Sequence, residues 1–195
     1  MSGRYVILRD RRLQGGVPFH ENVTIANTDA STSLGVAFHQ INLQACVGKI
    51  DTLFILCHGY AGSNPRLGMS VDGGGMGLQL GREDLTVQNV GQWLAINNKV
   101  SNIVIYACAA ADTQPGNKGT DADGQYLMGA LALATRADVY AATAMQWYRT
   151  YRGLQRGSFH FEAWSGLLFR FSGRTGNSEQ VLTVPTDLGR VLNGH

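Results

Sequence analysis

A histidine and a cysteine that each close an apolar run are the residues best placed for covalent chemistry. The run Ile50–Gly59, IDTLFILCHG, stops on His58-Gly59, and the stretch Val100–Ala111, VSNIVIYACAAA, stops being strand-like at Ala107-Cys108. A thiol with an imidazole beside it is an activated nucleophile, because the imidazole can take the thiol proton. Gly59 has a second use. With no side chain, its N–H can approach a carbonyl oxygen and, with the N–H of Cys108, form an oxyanion hole.

Position is what such a pair requires. Both runs read as strands buried on two faces, the pattern of a central parallel sheet. Ligands of open α/β sheets bind outside the carboxyl ends of the strands, where both His58 and Cys108 fall. If the two strands are neighbours, the two side chains reach one spot from adjacent loops. The helix following the second strand would add a positive N-terminus favouring thiolate.

The other candidates read more simply. Cys46 and Cys57 are core-type cysteines, and Cys57 points to the face opposite His58 on an extended strand. Cys108 alone would also read as a core residue; its pairing with His58 turns it toward catalysis. Three cysteines without regular spacing give neither a disulfide framework nor a zinc knuckle. His39 lies on a helix as a surface or boundary residue, and His20, His160 and His195 have no metal-binding spacing. No cofactor is expected. The glycine-rich stretch 62–77, GSNPRLGMSVDGGGMG, lacks the phosphate-loop order and reads either as a cover over a cleft or as an excursion. A serine hydrolase is disfavoured: HGYAG looks like an oxyanion motif, but no Gly-x-Ser-x-Gly elbow accompanies it.

The flanking elements alternate. Tyr5–Leu8 and Glu21–Ala26 read as strands, with a loop over Arg11–Phe19 between them. A helix follows over Ser33–Val47, with Leu34, Phe38, Ile41 and Ala45 at helical spacing. Leu78–Leu80 reads as an edge strand. Thr86 caps a helix over Val87–Ile96 that turns Val90, Trp93 and Leu94 inward. Thr113–Asp123 is a loop. Gly124–Arg136 is a helix burying Tyr126, Leu127, Ala130, Leu131 and Ala134. Asp138–Ala144 is a further strand, and Trp147–Gly157 an aromatic, basic connection. Ser158–Phe171 and Gln180–Val184 pair as a hairpin, and the last residues form a tail. The alternation predicts an α/β fold, a three-layer α/β/α sandwich with a mainly parallel central sheet plus a C-terminal β-hairpin.

A chain of 195 residues with 44% hydrophobic content suits one domain, with a core over about 5–170 and the hairpin and tail over 171–195. A net charge of +2 makes no claim on nucleic acid. No apolar run approaches the roughly 20 residues of a membrane span. Free thiols and an N-terminus without a signal-like apolar core place the chain in the cytoplasm, with secreted or surface placement left open.

At these residues the chain resembles the caspase-fold cysteine peptidases, the group holding caspases, legumains, gingipains, separases and the self-cleaving domains of bacterial toxins. The matching stretches are LCHGYAG, IVIYACAAA, ADVYAAT and FHFEAWSG, over roughly Ile50–Ala144 and reaching toward Gly166. The His-to-Cys interval, about 50 residues, matches that of caspases. Within the group the chain is most similar to an uncharacterised domain of large bacterial surface proteins with cadherin-like repeats. The resemblance implies a thiol endopeptidase in which Cys108 attacks, His58 protonates the leaving amine, and Gly59 and Cys108 hold the oxyanion. It implies a protein or peptide substrate, either a parent chain or a partner protein. The alternative is a catalytically silent module that keeps the fold for binding or assembly. Many members place Gln, Asp or Glu two residues before the cysteine to line the specificity pocket; here that position is Tyr106. Asp112 or Glu162 could supply an acidic pocket instead, and Arg149 or Arg152 a basic one. Trp147 and Tyr148 suit an apolar subsite. No third member of a triad is visible.

Overall fold

The computed structural model describes residues 3–18, 20–65, 68–70, 73–150 and 159–193. Arg152, His195 and all of residues 151–158 lie outside the described residues, as do parts of the glycine-rich stretch.

In chain order the main elements are β1 (Tyr5–Asp10), β2 (Val23–Thr28), α1 (Leu34–Ala45), β3 (Ile50–Leu56), a 3-10 helix (Val90–Ile96), β4 (Val100–Tyr106), α2 (Gly124–Thr135), β5 (Asp138–Ala142), β6 (Leu168–Phe171), β7 (Ser178–Val181) and α3 (Leu188–Asn193). The seven strands form one sheet in the order β7-β6-β5-β4-β3-β1-β2. Strands β2, β1, β3, β4 and β5 are parallel, and β6 and β7 join antiparallel at one edge. β3 and β4 therefore sit side by side at the centre, in the register Leu53↔Ile103 through Leu56↔Tyr106.

The continuous apolar character of β3 and β4 follows from cover on both faces. Leu53 and Ile55 point into one cluster with Leu34, Phe38, Trp93, Leu127 and Leu131, while Phe54 and Leu56 point into another with Tyr106, Tyr140, Phe159 and Leu188. Each such side chain, fully buried, contributes about 1.5–3 kcal/mol. The two covers differ. The α1, 3-10 and α2 elements all lie on the first face. The second face is covered by a two-stranded ribbon, Tyr148–Thr150 with Phe159–Phe161, by Trp164 and by the six-residue α3. The expected pair of helical layers is thus lopsided, because the described residues of the connections 11–22 and 143–167 form no helix.

Several elements depart from expectation for local reasons. The predicted helix over Val87–Ile96 is a 3-10 helix over Val90–Ile96. At three residues per turn, Val90, Trp93 and Ile96 share one face, so Leu94 rotates out and is 62% exposed. The residue before this helix is Asn89, whose side-chain oxygen accepts from the Thr86 N–H at 2.9 Å. On α2 the buried face is Leu127, Met128, Leu131, Ala132 and Thr135, which leaves Tyr126 outside. The C-terminal hairpin pairs Leu168–Phe171 with Ser178–Val181 and is part of the main sheet. Arg170 locks it there by donating to Asp138 (2.8 Å) and Glu179 (2.6 Å). The expected tail contains α3, whose Leu188 is buried under the sheet and whose approach is fixed by Tyr106 and Asp187. Among the described residues no helix is long and apolar enough to cross a membrane.

Candidate active site

The strand expected to run unbroken from Ile50 to Gly59 ends at Leu56. His58 and Gly59 leave the sheet and form a short antiparallel ribbon with Leu78–Gln79. In such a ribbon hydrogen-bonded and non-bonded pairs alternate. The Tyr60 N–H donates to the Gly77 carbonyl at 3.0 Å, so Gly59, opposite Leu78, occupies a non-bonded position with its N–H turned away from the ribbon. On its other side lies the chain that leaves β4. A methyl group on Gly59 would overlap the Cys108 carbonyl oxygen and lie 2.8 Å from its carbon and 3.0 Å from its nitrogen. The two main chains thus touch at Gly59 and Cys108, just beyond the last paired residues Leu56 and Tyr106 of the two central strands.

The turn carrying Cys108 is held from several directions. Ala109 follows in the left-handed region (φ 49), unusual for a residue with a Cβ. Its N–H donates to Ala144 O (2.9 Å), and its carbonyl accepts from Gly75 N–H (3.0 Å). The glycines 73–77 are therefore no free excursion: they pack against this turn. A Cβ on Gly74 would collide with Ala109, and one on Gly75 (φ 83) with the Asp112 carbonyl. Asp112 secures the contact, its Oδ2 accepting from Gly74 N–H (2.8 Å) and Gln114 Nε2 (3.0 Å). Helix α2 begins well after Cys108, and its first turn is capped by Asp123, which accepts from Tyr126 N–H at 3.0 Å. The expected helix N-terminus directly behind the thiol is absent from the segment after β4, because residues 107–123 form turns.

The His58 side chain is exposed, and its Nε2 lies 3.3 Å from the main-chain carbonyl of Arg12. Donation from Nε2–H to that oxygen fixes the tautomer and leaves the lone pair on Nδ1, free to accept a proton. A main-chain carbonyl thus stands where a third catalytic group would be sought. Cys108 is partly exposed, with its Sγ 3.8 Å from the carbonyl of Gln146. Cys57 is buried on the opposite face, and burial pushes its thiol well above the usual range.

The remaining candidates separate. Tyr148 is half-buried and packs edge-on against Phe159 at 5.1 Å, and burial, then the nearby Cys108, push its hydroxyl pKa up. Trp147 is 60% exposed beside it. Tyr106 is not an open lining residue: it is 5% exposed, stacked on Trp164 at 4.7 Å and against Phe161 at 4.4 Å. Burial and then the Asp187 carboxylate hold its hydroxyl in the protonated form. Asp112 is engaged by the glycine loop as described. Arg149 and Glu162, each a candidate for charge selection, pair with each other at 2.6 Å.

Sequence reasoning missed two features near His58. Arg9, at the end of β1, lies 5.5 Å over the Phe159 ring, and its Nε is buried without a hydrogen-bond partner. Burial, then the nearby charge of Arg11, lowers its pKa. Asp10, Arg12, Tyr60 and Asp84 form a charged cluster behind the His58 ribbon. Neither has a sequence signature: Asp84 reaches Arg12 across some seventy residues of chain, and a carbonyl acceptor is present at every position. Among the described residues no group of three or more His, Cys, Asp or Glu is arranged to hold a metal ion.

No protein-family model matches the chain, and no curated protein matches it.

Proposed function

We propose that this chain is a cysteine peptidase of the caspase-like type, with His58 and Cys108 as its catalytic dyad. The observation that carries the reading is the contact of Gly59 with the Cys108 main chain at the carboxyl ends of two adjacent central strands. It supports a site where an imidazole, a thiol and two backbone N–H groups converge. His58 would draw the Cys108 proton as Sγ attacks the scissile carbonyl. The oxyanion would sit against the N–H groups of Gly59 and Cys108. The imidazolium would then protonate the leaving amine, and water would hydrolyse the thioester. The substrate is a peptide segment, of the parent chain or of a partner. Tyr148 offers an aromatic surface beside Cys108, and Trp147 is exposed next to it in the chain.

A second reading, a binding module without turnover, is favoured by one feature. The hydrogen bonds of the two side chains go elsewhere, His58 to Arg12 O and Cys108 to Gln146 O.

The test is labelling with a peptidyl acyloxymethyl ketone, followed by mass-spectrometric mapping in the wild type and in His58→Ala. Cys108 labelling that falls at least tenfold in His58→Ala, with cleavage of members of a peptide library, is the expected result. Cys46, which is exposed, gives a His58-independent background, and buried Cys57 stays unmodified. Equal Cys108 labelling in both proteins, with no peptide cleaved, overturns the peptidase reading in favour of the binding module.

A further inference from the structure

We propose that the Arg12 side chain is a positioning residue that sets the orientation of His58, through a clamp built from Asp10, Asp84 and Tyr60. The inference rests on the dyad reading but is separately testable.

Arg12 is a two-ended part. Its carbonyl oxygen is the acceptor for His58 Nε2 at 3.3 Å. Its guanidinium is fixed by a fork: Nε donates to Asp10 Oδ1 at 2.8 Å and Nη2 to Asp10 Oδ2 at 2.7 Å. Nη2 also donates to Gly81 O at 2.8 Å and lies 3.5 Å from Asp84 Oδ1. Asp10 is fully buried, and its carboxylate further accepts from the N–H groups of Arg12 (3.0 Å) and Gly81 (2.8 Å). Asp84, also fully buried and in the left-handed region (φ 59), accepts from the Tyr60 hydroxyl at 2.7 Å. Burial, then the Asp84 hydrogen bond, raises the Tyr60 pKa to about 12, so the hydroxyl remains a donor.

The clamp therefore holds both references that fix His58. Tyr60 is two residues beyond His58, just past the ribbon strand His58–Gly59, and Gly81 and Asp84 follow the partner strand Leu78–Gln79 that pairs with His58. The same guanidinium pins the turn whose carbonyl meets the ring. A bidentate fork specifies angle as well as distance, which a lysine at this position would not. Two buried carboxylates sharing one guanidinium are costly to desolvate, and well-packed apolar residues would serve mere stability as well. The arrangement suits a place where geometry matters more than stability.

The experiment compares Arg12→Ala, Arg12→Lys, His58→Ala and the double variant Arg12→Ala/His58→Ala. One readout is the rate of Cys108 alkylation by iodoacetamide, mapped by mass spectrometry. The other is the imidazole 15N spectrum of His58. Circular dichroism verifies folding, and Tyr60→Phe provides a gentler lesion of the same clamp. We expect Arg12→Ala to slow alkylation about tenfold, Arg12→Lys about threefold, and the double variant to react like His58→Ala, since Arg12 acts only through the ring. The Nε2–H signal of His58 should lose its hydrogen-bonded shift in Arg12→Ala, and partly in Tyr60→Phe. An additive double variant, or an unchanged His58 spectrum in a folded Arg12→Ala, overturns the positioning role while leaving the dyad intact. If His58→Ala alkylates like the wild type, the dyad fails, and the spectrum alone decides whether Arg12 orients the ring.

Discussion

Replacing Gly59 by alanine tests the contact on which the site depends. The new methyl would overlap the Cys108 carbonyl oxygen and stand 2.8 Å from its carbon. Non-bonded carbon atoms rest at about 3.5–4.0 Å, and the overlapped oxygen is nearer still, so the two main chains must part by more than about 1 Å. No flexible side chain can absorb the strain, because the atoms met are all backbone. Overpacking of this kind costs about 1–3 kcal/mol. In a chain of this size each kcal/mol lowers the melting temperature by about 2–4 °C. The functional effect is larger, since a misplacement of about 1 Å between reacting groups can cost roughly 10²-fold. The assay is a urea titration together with the iodoacetamide rate at Cys108. Gly91→Ala serves as the control: a Cβ there meets nothing within 4 Å. A folded Gly59→Ala with wild-type stability and Cys108 reactivity would show that the two strand ends are not in contact.

Other outcomes follow from the same geometry. Asp10→Asn leaves the Arg12 charge with half its partner, at a cost of about 3 kcal/mol near neutral pH by denaturant unfolding. Burial alone would raise the Asp10 pKa, but its hydrogen bonds to Arg12 and Gly81 outweigh that and lower it. A folded pKa held below the unfolded one stabilises above the unfolded carboxylate range and is lost as pH falls through the folded value, so the gap between wild type and Asp10→Asn should shrink in acid. A gap independent of pH would argue against an ionised Asp10. Arg9→Met removes a guanidinium whose buried Nε has no partner, and its unfolding free energy should lie within about 1 kcal/mol of wild type or above it. A loss beyond about 2 kcal/mol would mean that the stacking on Phe159 outweighs the desolvation. Tyr106→Phe deletes the hydroxyl that bonds Asp187 and the Leu188 N–H, and should cost about 1–2 kcal/mol while hastening amide exchange in α3. Unchanged exchange there would remove the link between β4 and the C-terminal helix.

Much of the architecture was legible because it is encoded in local pattern. The apolar runs of β3 and β4 state that both faces are covered, and the helical spacing of Leu34, Phe38 and Ile41 matches the buried side of α1. The strand ends were less legible: the sheet pairing stops at Leu56 and Tyr106, two residues short of His58 and Cys108. The misjudged elements were those whose period or partner is set at a distance. A helical period of 3.6 residues points Leu94 inward, whereas the chain there winds at three residues per turn and turns it out. Tyr106, at the position that lines the specificity pocket in the resembled family, is covered by Trp164 and Phe161, which nothing in its sequence neighbourhood announces.

The residues by themselves thus determined the central strands and their burial and marked His58 and Cys108 as candidates for chemistry, since hydrophobic periodicity and side-chain type are properties of short segments. Only the tertiary structure decided that Gly59 rests on the backbone of Cys108, that glycines 73–77 brace the cysteine turn, and that Arg12 offers its carbonyl to His58. Each of those contacts has a main-chain group on at least one side. Every residue carries the same main-chain groups, so their meeting is fixed by how strands are ordered and how closely loops pack, and leaves no mark in the order of side chains.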